Sequence, residues 1–430
     1  MEIFYHLGVL EYVEMIENLQ QRRRWRFFYD TINKERRISE NIMATSVNPG
    51  LLVELEEFGL KDAATCFNCG NCTAVCTLST ENTPFPRKVI RYLQIGAEDK
   101  LLQSPEPWLC YYCGDCSETC PRDANPGEVM MGLRRYLTAR YDITGISKRF
   151  YTSKVFEVSA ILFLAALVGL GFMAFHGTIV TDRVALNSFA SSHVIEILDL
   201  IMLVVLSFFL LTNAQRMAKA ILGDPQQYQK EMDPENTEPV KQVRKWNGIP
   251  VSLYFAEIKE LLVHFATQKK FKSCESKSQD MQWYIHLLIM TGYSSIFLLV
   301  VVFLRWFQRD EILSLWNPVR LIGYYGTFAL LYGTTYAFIG RLKKTKMVYK
   351  YSHSSDWAFL ILLWLTTFTG ILIHFTRLLE MPLSTYTIYV IHMMIAVPML
   401  VLEVPFAKWA HLLYRPLALY LMRVKERAAA

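Results

Sequence analysis

The sequence predicts an all-α protein in two parts: a small helical soluble domain followed by a bundle of six transmembrane helices. Eight of the nine cysteines lie in two matching runs before residue 125, and long apolar stretches begin only after residue 150. The strand-like alternation of apolar and polar residues is absent. With 52% hydrophobic and 20% charged residues, the chain is too apolar for a soluble protein of 430 residues and too charged for a wholly membrane-embedded one.

The chain divides into three segments. Residues 1–45 are predicted to be a charged N-terminal extension, with Met43 as an alternative start. Residues 46–145 are predicted to be a cytoplasmic domain with short helices around both cysteine runs, for example at 86–95 and 127–141. Residues 150–430 are predicted to be the membrane domain. The first thirty residues contain no cleavable apolar core, so no signal peptide is expected and the thiols stay in a reducing compartment.

Each cysteine run has the spacing Cys-x2-Cys-x2-Cys-x3-Cys. A loop of this kind wraps three irons of a cubane cluster, and the fourth cysteine reaches across to the other cluster. The sequence therefore predicts a helical two-cluster ferredoxin domain with two 4Fe-4S clusters. Zinc is the alternative for paired Cys-x2-Cys motifs, but a zinc site needs only four ligands. The expected ligands are Cys66, Cys69, Cys72 and Cys120 for one cluster, and Cys110, Cys113, Cys116 and Cys76 for the other.

Six apolar stretches follow, each with the roughly twenty residues needed to cross a bilayer core of about 30 Å. They lie at about 155–175, 193–211, 283–304, 319–339, 357–375 and 386–405.

Charge bias predicts the orientation of these spans. The loops at 214–282 and 340–356 hold eleven and five Lys or Arg residues, whereas the opposite loops hold few. Both basic loops and both termini are therefore expected on the cytoplasmic side of a multi-pass inner-membrane protein. Topology accounts for the net charge of +6, so nothing indicates a nucleic-acid partner. The amphipathic stretch at 251–265 is expected to lie on the membrane surface.

Four histidines form two pairs at matched depths. His286 and His411 lie near the cytoplasmic ends of their spans, and His374 and His392 lie near the outer ends. Ionisable groups inside a membrane are costly and are functional candidates by default, so each pair is predicted to ligate one haem. The chain contains no Cys-x2-Cys-His motif, which predicts two non-covalent haems b. The alternative is four interfacial or helix-bonding histidines.

The spacing within the last span predicts a bulge. His392 and His411 are 19 positions apart, which rotates one about 100° from the other on an ideal helix. Pro398 and Pro405 lie between them and are suited to introduce a bulge that absorbs the extra residue.

Three charged side chains near the outer side are weak candidates for quinone or proton chemistry. Glu196 and Asp199 are one turn apart in the second span, and Arg377 follows His374. The alternative for the two acids is a helix N-terminus, whose dipole favours negative charge.

The segment from His392 to His411, which ends in PFAKWAHLLYRP, resembles the last transmembrane helix of the gamma subunit of respiratory nitrate reductases. That resemblance implies two haems b held by histidines near opposite ends of the helix. WYIHLLIM around His286 resembles the family's other ligand helix, but Ile296 stands where the family has a second histidine. The partner of His392 is therefore expected to be His374, with His193 as the alternative.

Taken together, residues 46–425 resemble the QmoC family, the membrane subunits of the quinone-interacting membrane-bound oxidoreductase of sulfate-reducing and sulfur-oxidising microbes. They combine a domain similar to the small iron–sulfur subunit of heterodisulfide reductase with a haem b domain. The most specific stretches are CFNCGNCTAVC, FPRKVIRY and PWLCYYCGDCSETCP. The resemblance implies flavin-containing Qmo-type partner subunits and electron exchange between menaquinone and adenylylsulfate reductase.

These observations predict a membrane electron-transfer subunit of a quinone oxidoreductase complex in dissimilatory sulfur metabolism. Catalytic subunits of heterodisulfide reductases carry adjacent-cysteine motifs, and no Cys-Cys pair occurs here, so direct disulfide reduction by this chain is not expected. No substrate chemistry beyond quinone is expected in it. One alternative is the membrane arm of another heterodisulfide-reductase-like or sulfite-reduction-linked complex. A haem-free membrane anchor for the iron–sulfur domain is the other.

Overall fold

The computed structural model describes residues 47–429 except 81–82, 224–244, 247, 270, 272–276 and 345. The predicted extension at 1–45 and the ninth cysteine, Cys274, lie outside the described residues. From Asn48 onward the chain forms one compact unit.

The part of the chain that carries both cysteine runs, residues 47–152, is here called the iron–sulfur part after the clusters predicted for it, and it is built from short helices. One 3₁₀ turn, Ala63–Thr65, lies among them. The α-helices are α1 (Leu51–Glu56), α2 (Asn71–Val75), α3 (Arg87–Gln94), α4 (Glu98–Leu102), α5 (Glu106–Leu109), α6 (Asp115–Glu118), α7 (Pro126–Tyr141) and α8 (Ile146–Thr152).

Long helices dominate the rest of the chain. They are connected by short elements, among them an antiparallel pair of two-residue strands, β1 (Lys245–Trp246) and β2 (Ile249–Pro250). The helices are α9 (Lys154–Phe175), α10 (Leu186–Phe189), α11 (Ser192–Leu222), α12 (Val251–Ala256), α13 (Ile258–Thr267), α14 (Lys277–Val301), α15 (Leu304–Phe307), α16 (Pro318–Lys343), α17 (Met347–Lys350), α18 (Ser354–Leu378), α19 (Pro382–Pro398), α20 (Val404–Phe406) and α21 (His411–Ala429).

Among the described residues, five helical segments are long and apolar enough to cross a membrane. They lie in α9, α11, α14, α18 and the run from α19 to α20. The sequence predicts six spans, and the stretch at 319–339 lies in α16, which is not among the five. Tyrosines, threonines and glycines interrupt the apolar residues of α16 and lower its mean hydropathy. This helix nevertheless packs between α14 and α18.

Small residues allow α14 and α16 to approach closely. A Cβ at Gly326 would lie 2.7 Å from Cγ1 of Ile296, and one at Gly333 would lie 2.4 Å from Cγ1 of Ile289. Ile296 therefore fills a packing position between α14 and α16. Glycine at a helix contact is typical of membrane bundles, because association there depends on close van der Waals packing.

The last span contains the bulge that the histidine spacing predicts. A π-helical turn, Met399–Glu403, follows directly after Pro398. After α20 the backbone breaks at Ala407, and a 3₁₀ turn, Lys408–Ala410, leads into α21. His411 is thus the first residue of a separate helix, which turns toward the iron–sulfur part.

An apolar core joins the two parts of the molecule. It contains Phe58 and Tyr136 from the iron–sulfur part, and Ala218 and Tyr414 from α11 and α21. Trp108 meets Tyr414 edge to face with ring centres 5.3 Å apart. Such contacts between large buried rings are among the strongest apolar contributions to docking.

A buried ionic seam crosses the same boundary. Arg135 on α7 lies 2.9 Å from Glu128 and 3.9 Å from Asp356 at the start of α18. Asp356 also pairs with Lys408. The buried core and the paired charges together hold the iron–sulfur part against one end of the bundle, here called the near end.

Candidate metal and cofactor sites

The two cysteine runs fold into the same loop shape. Asn68 and Tyr112, two residues after the first cysteine of each run, both have a φ of 56°. Gly70 and Gly114, one residue after the second cysteine, have φ values of 97° and 99° and begin α2 and α6. A left-handed backbone at these points turns the chain so that successive thiols face inward, and glycine adopts it without strain.

Backbone amides in these loops donate hydrogen bonds to sulfur. The Asn68 amide lies 3.4 Å from Sγ of Cys66, and the Tyr112 amide lies 3.3 Å from Sγ of Cys110. Amide donors of this kind stabilise negative charge on thiolates and tune the potential of a bound cluster.

Four of the predicted ligands line one small cavity between the two runs. They are Cys76, Cys110, Cys113 and Cys116. Burial raises the pKa of Cys76 to about 11, and the nearby Cys110 and Cys113 act in the same direction. A partly buried group of thiolates that repel one another is stabilised when metal binds them, because metal ligation requires and compensates their charge.

The other four cysteines form a second neighbourhood. Burial raises the pKa of the Cys72 thiol, and Cys66, Cys69 and Cys120 add to the shift through their charge. In both neighbourhoods the fourth cysteine of one run lies near the first three of the other. Among the described residues, no three His, Cys, Asp or Glu side chains are arranged to hold a single metal ion. Two groups of four thiols fit two cubane clusters.

The two groups differ in exposure. Cys69 in the first group is exposed, and Phe67 beside it is 70% exposed, with the Arg122 guanidinium 4.1 Å from its ring. Each group has one buried cysteine, Cys72 in the first and Cys110 in the second. The Cys110 carbonyl accepts a hydrogen bond from Arg415 of the membrane part. The first group is the more exposed of the two, because it contains the exposed Cys69.

His286 and His411 come together at the near end of the bundle. Their ring centres lie 6.1 Å apart. With iron–nitrogen bonds of about 2 Å, two axial imidazoles of one haem have ring centres about 6 Å apart. Both rings also line a cavity of about 320 Å³. The pair therefore fits a six-coordinate haem.

The surroundings of His411 prepare it as a ligand. Its Nδ1 contacts the carbonyl oxygen of Lys408, which can only accept, so Nδ1 carries the proton and Nε2 is left for a metal. Burial, followed by Arg415, holds the pKa of His411 well below its ordinary value and keeps the ring neutral. Nδ1 of His286 is buried without a hydrogen-bond partner in the described part of the chain.

Helix α21 connects this histidine pair to the second thiol group. Arg415, one turn after His411, donates from Nη2 to the Cys110 carbonyl at 2.8 Å and from Nε to the Trp108 carbonyl at 3.1 Å. Its guanidinium lies 4.4 Å from the centre of the Tyr111 ring. One helix turn thus separates a haem-ligand candidate from the backbone of a cluster-ligand candidate.

Aromatic rings form a second connection. Tyr111 stacks on Phe271 with ring centres 4.7 Å apart, and Phe271 meets His286 edge to face at 6.0 Å. Nothing in the sequence pattern predicted the roles of Arg415 and Phe271. The only signal in the sequence for the role of Arg415 was its position as a basic residue one turn beyond His411.

His392, ten residues after the start of α19, is also arranged as a ligand. The end of the bundle opposite the near end is here called the far end. Its Nδ1 lies 2.9 Å from the Thr369 hydroxyl, which itself donates to the Leu365 carbonyl at 2.8 Å. The hydroxyl therefore accepts from Nδ1, which leaves Nε2 free to act as a ligand. His392 lines a cavity of about 440 Å³.

His374 lines the same cavity but is engaged differently. Its Nε2 lies 2.8 Å from the Tyr324 hydroxyl, which accepts a hydrogen bond from Nε of Arg320 at 2.9 Å. Its ring contacts Tyr324 and Phe375, and in the described part of the chain it makes no contact with the ring of His392. This arrangement does not fit a six-coordinate haem between His374 and His392.

The remaining candidates are dispersed. His193 is exposed and does not line the cavity. Glu196 pairs with Arg305 at 2.6 Å. Asp199 is buried, lines the cavity and has an unpartnered Oδ2 among the described residues. Arg377 also lines the cavity and donates to a backbone carbonyl.

The iron–sulfur part matches known proteins. Residues 62–124 match the family model of the 4Fe-4S dicluster domain. Over 94 residues the chain is 35% identical to a protein of Archaeoglobus profundus that is named as similar to the C subunit of heterodisulfide reductase, over 22% of this chain and 50% of that protein. It is 33% identical to the second iron–sulfur C subunit of the CoB–CoM heterodisulfide reductase of Methanocaldococcus jannaschii, over 23% of this chain and 51% of that one.

A third relative is the C subunit of the ferredoxin/F420H2-dependent CoB–CoM heterodisulfide reductase of Methanosarcina acetivorans. It is 32% identical over 25% of this chain and 65% of its own length. The chain spans about half the length of the first two relatives. No solved structure gives a significant match. The chain therefore carries a 4Fe-4S ferredoxin domain similar to the C subunit of heterodisulfide reductase, as the sequence predicts, and the resemblance of its membrane part stays a prediction.

Proposed function

We propose that this chain is the membrane electron-transfer subunit of a quinone oxidoreductase complex. It links the menaquinone pool through haem b and two 4Fe-4S clusters to cytoplasmic flavoprotein subunits. When bound, these groups supply one-electron carriers spaced across the molecule. The residues of the chain hold the carriers, exclude water and keep neighbouring carriers close.

The contact between Arg415 and Cys110 carries this proposal. It joins the helix of one haem-ligand candidate to the backbone of one cluster-ligand candidate through a hydrogen bond of 2.8 Å. A protein that only anchored an iron–sulfur domain would need no buried histidine pair beside that contact. His286 and His411, with ring centres 6.1 Å apart, are well suited to hold the inner haem.

The second haem b predicted from the sequence would need His392 and one further ligand. If that ligand is His374, its hydrogen bond to Tyr324 must break and its ring must turn toward His392. His193 would have to leave its exposed position. Measuring the haem content per chain therefore shows whether the chain binds one haem or two.

The proposed partners lie on the cytoplasmic side. The exposed first thiol group, with Phe67 and Arg122 beside it, is the outward end of the carrier series and is suited to meet a flavin-containing Qmo-type subunit. Adenylylsulfate reductase and a role in sulfur metabolism follow from the QmoC resemblance. The basic loops support an inner-membrane position with both termini in the cytoplasm.

A second candidate is the membrane arm of another heterodisulfide-reductase-like complex. The similarity of the iron–sulfur part to the C subunits of methanogen heterodisulfide reductases favours it. It shares the same carriers and differs in its soluble partner, so co-purification of the complex separates the two.

The test is an anaerobic difference spectrum of the purified chain, quinol-reduced minus oxidised, with haem and iron quantified per polypeptide. The proposal predicts about eight irons and at least one quinol-reducible haem b. His286→Ala should lose the inner haem, whereas His176→Ala, an exposed histidine, should keep it. If the purified chain contains iron but no haem, the proposal is wrong and the membrane part is only an anchor for the iron–sulfur part.

A further inference from the structure

A cavity that extends from the far end of the bundle to Trp409 has the size and lining of a site for a small molecule. Its volume of about 440 Å³ lies within the range of about 300–1,000 Å³ that ligand pockets occupy. Side chains such as Leu203, Val300 and Ile373 make most of its wall apolar. They come from separate helices, so the cavity is formed between helices of the bundle.

Three polar side chains of this mostly apolar cavity are linked by hydrogen bonds toward the far end. Arg320 donates to the Tyr324 hydroxyl, and that hydroxyl contacts Nε2 of His374. Tyr324 is six residues after the start of α16, and His374 is four residues before the end of α18. At 1.5 Å per residue, both lie roughly 6–9 Å from the far ends of their helices. A ligand headgroup at this depth would lie just below the bilayer surface.

Asp199 supplies an independent indication that a ligand belongs here. The residue is 8% exposed and lines the cavity, and its Oδ2 has no hydrogen-bond partner among the described residues. An unpaired buried carboxylate oxygen is costly. A ligand that donates a hydrogen bond would remove that cost.

His374 is better accounted for by this polar group than by haem ligation. Its Nε2 is engaged with Tyr324, and no contact joins its ring to that of His392 in the described chain. The ligand must therefore combine an extended apolar portion with a small head that both accepts and donates hydrogen bonds. An isoprenoid quinone and its quinol have that chemistry.

We propose that this cavity is the quinone site, that the Tyr324 hydroxyl and His374 bind the headgroup, and that His374 is not a haem ligand. The inference rests on the proposed function and deepens it, because it places the quinone within the same electron-transfer subunit. The headgroup lies against the Arg320, Tyr324 and His374 chain, with the tail along the apolar wall. The site accepts the shared chemistry of benzoquinones and naphthoquinones.

The experiment uses the full chain in lipid nanodiscs. Tyr324→Phe and His374→Gln are compared with wild type for haem content and for reduction by menadiol, decylubiquinol and dithionite. Loss of one hydrogen bond to the headgroup, worth about 1.4 kcal/mol, should raise the KM for quinol about tenfold. Haem content and reduction by dithionite should be unchanged. The quinol with the larger response identifies the headgroup class.

Tyr325→Phe is the matched control, because Tyr325 is the next residue on the same helix, is 44% exposed and does not line the cavity. If His374→Gln does not fold, Tyr324→Phe alone decides, since it removes a single hydroxyl. Haem loss in His374→Gln, or an unchanged KM in Tyr324→Phe, overturns the inference. Wild-type chain with no quinol-reducible haem would instead overturn the proposed function.

Discussion

Replacing Arg415 by lysine should loosen the iron–sulfur part from the membrane part without removing either set of carriers. Arg415 donates to the carbonyls of Cys110 and Trp108 and lies over the Tyr111 ring. Lysine keeps the positive charge but loses the planar fork that reaches two acceptors at once. Arg134 also donates to the Cys110 carbonyl, so that acceptor keeps one partner in the variant.

The expected magnitude follows from these contacts. A hydrogen bond from a charged donor contributes about 1.5–3 kcal/mol, and a cation–π contact adds about 0.5–1 kcal/mol. Lysine retains one donor and part of the ring contact, so the net loss should be about 1.5–3 kcal/mol. Since 1.4 kcal/mol is a factor of ten, local opening of the 108–112 loop should become roughly 10- to 100-fold more frequent.

Hydrogen exchange measures that opening directly. The Tyr112 amide, which donates to Sγ of Cys110, should exchange faster in Arg415→Lys by the same factor. Reduction of the clusters by quinol should slow, while iron and haem content stay constant. Arg423→Lys is the control, since Arg423 lies on the same helix with a side chain that is 53% exposed. Equal exchange rates in wild type and Arg415→Lys would refute the role assigned to this contact.

Three further predictions concern the clusters, a helix start and the bundle. Cys76→Ser should abolish the electron paramagnetic resonance signal of the second cluster, and Cys120→Ser should abolish that of the first cluster. Each variant should keep about four irons. If both variants lose the same signal, the crossed assignment of ligands is wrong. Burial lowers the pKa of His353 to about 4, and its Nδ1 caps α18. Because the unfolded ring takes up its proton near pH 6.5, stability should decline as pH falls from 6.5 toward 4, by up to about 1.4 kcal/mol per pH unit; melting of His353→Asn should lack this dependence. Gly333→Ala should cost about 1–3 kcal/mol, because its Cβ would lie 2.4 Å from a neighbouring side chain, whereas Gly171→Ala, with no atom within 4 Å, should melt like wild type.

The local features of this molecule could be predicted because they depend on short stretches of sequence. The cysteine spacing predicts the repeated loops, since the left-handed backbone at Gly70 and Gly114 follows from glycine within each motif. The π-helical turn after Pro398 is expected from the 19-residue interval between two histidines and the proline within it. The matched depth of His374 and His392 stays a prediction, since His374 lies four residues before the end of α18 and His392 ten residues after the start of α19.

The α16 helix shows where composition alone no longer identifies a helix of the bundle. Its tyrosines and glycines lower its mean hydropathy, so it is not among the five segments that qualify as spans by length and composition. Its place between α14 and α18 comes from close packing at Gly326 and Gly333, which a hydropathy window does not register.

Patterns along the chain were enough to predict the 4Fe-4S dicluster domain and the long apolar helices. Helix packing in three dimensions was needed to show that His286 meets His411, that Arg415 reaches the Cys110 loop, and that His374 meets Tyr324 instead of His392. Depth along a helix is a local property, whereas the neighbours of a side chain depend on how each helix is rotated and which helices pack together. Those choices rest on contacts between residues tens to hundreds of positions apart, which no periodic pattern in the chain encodes.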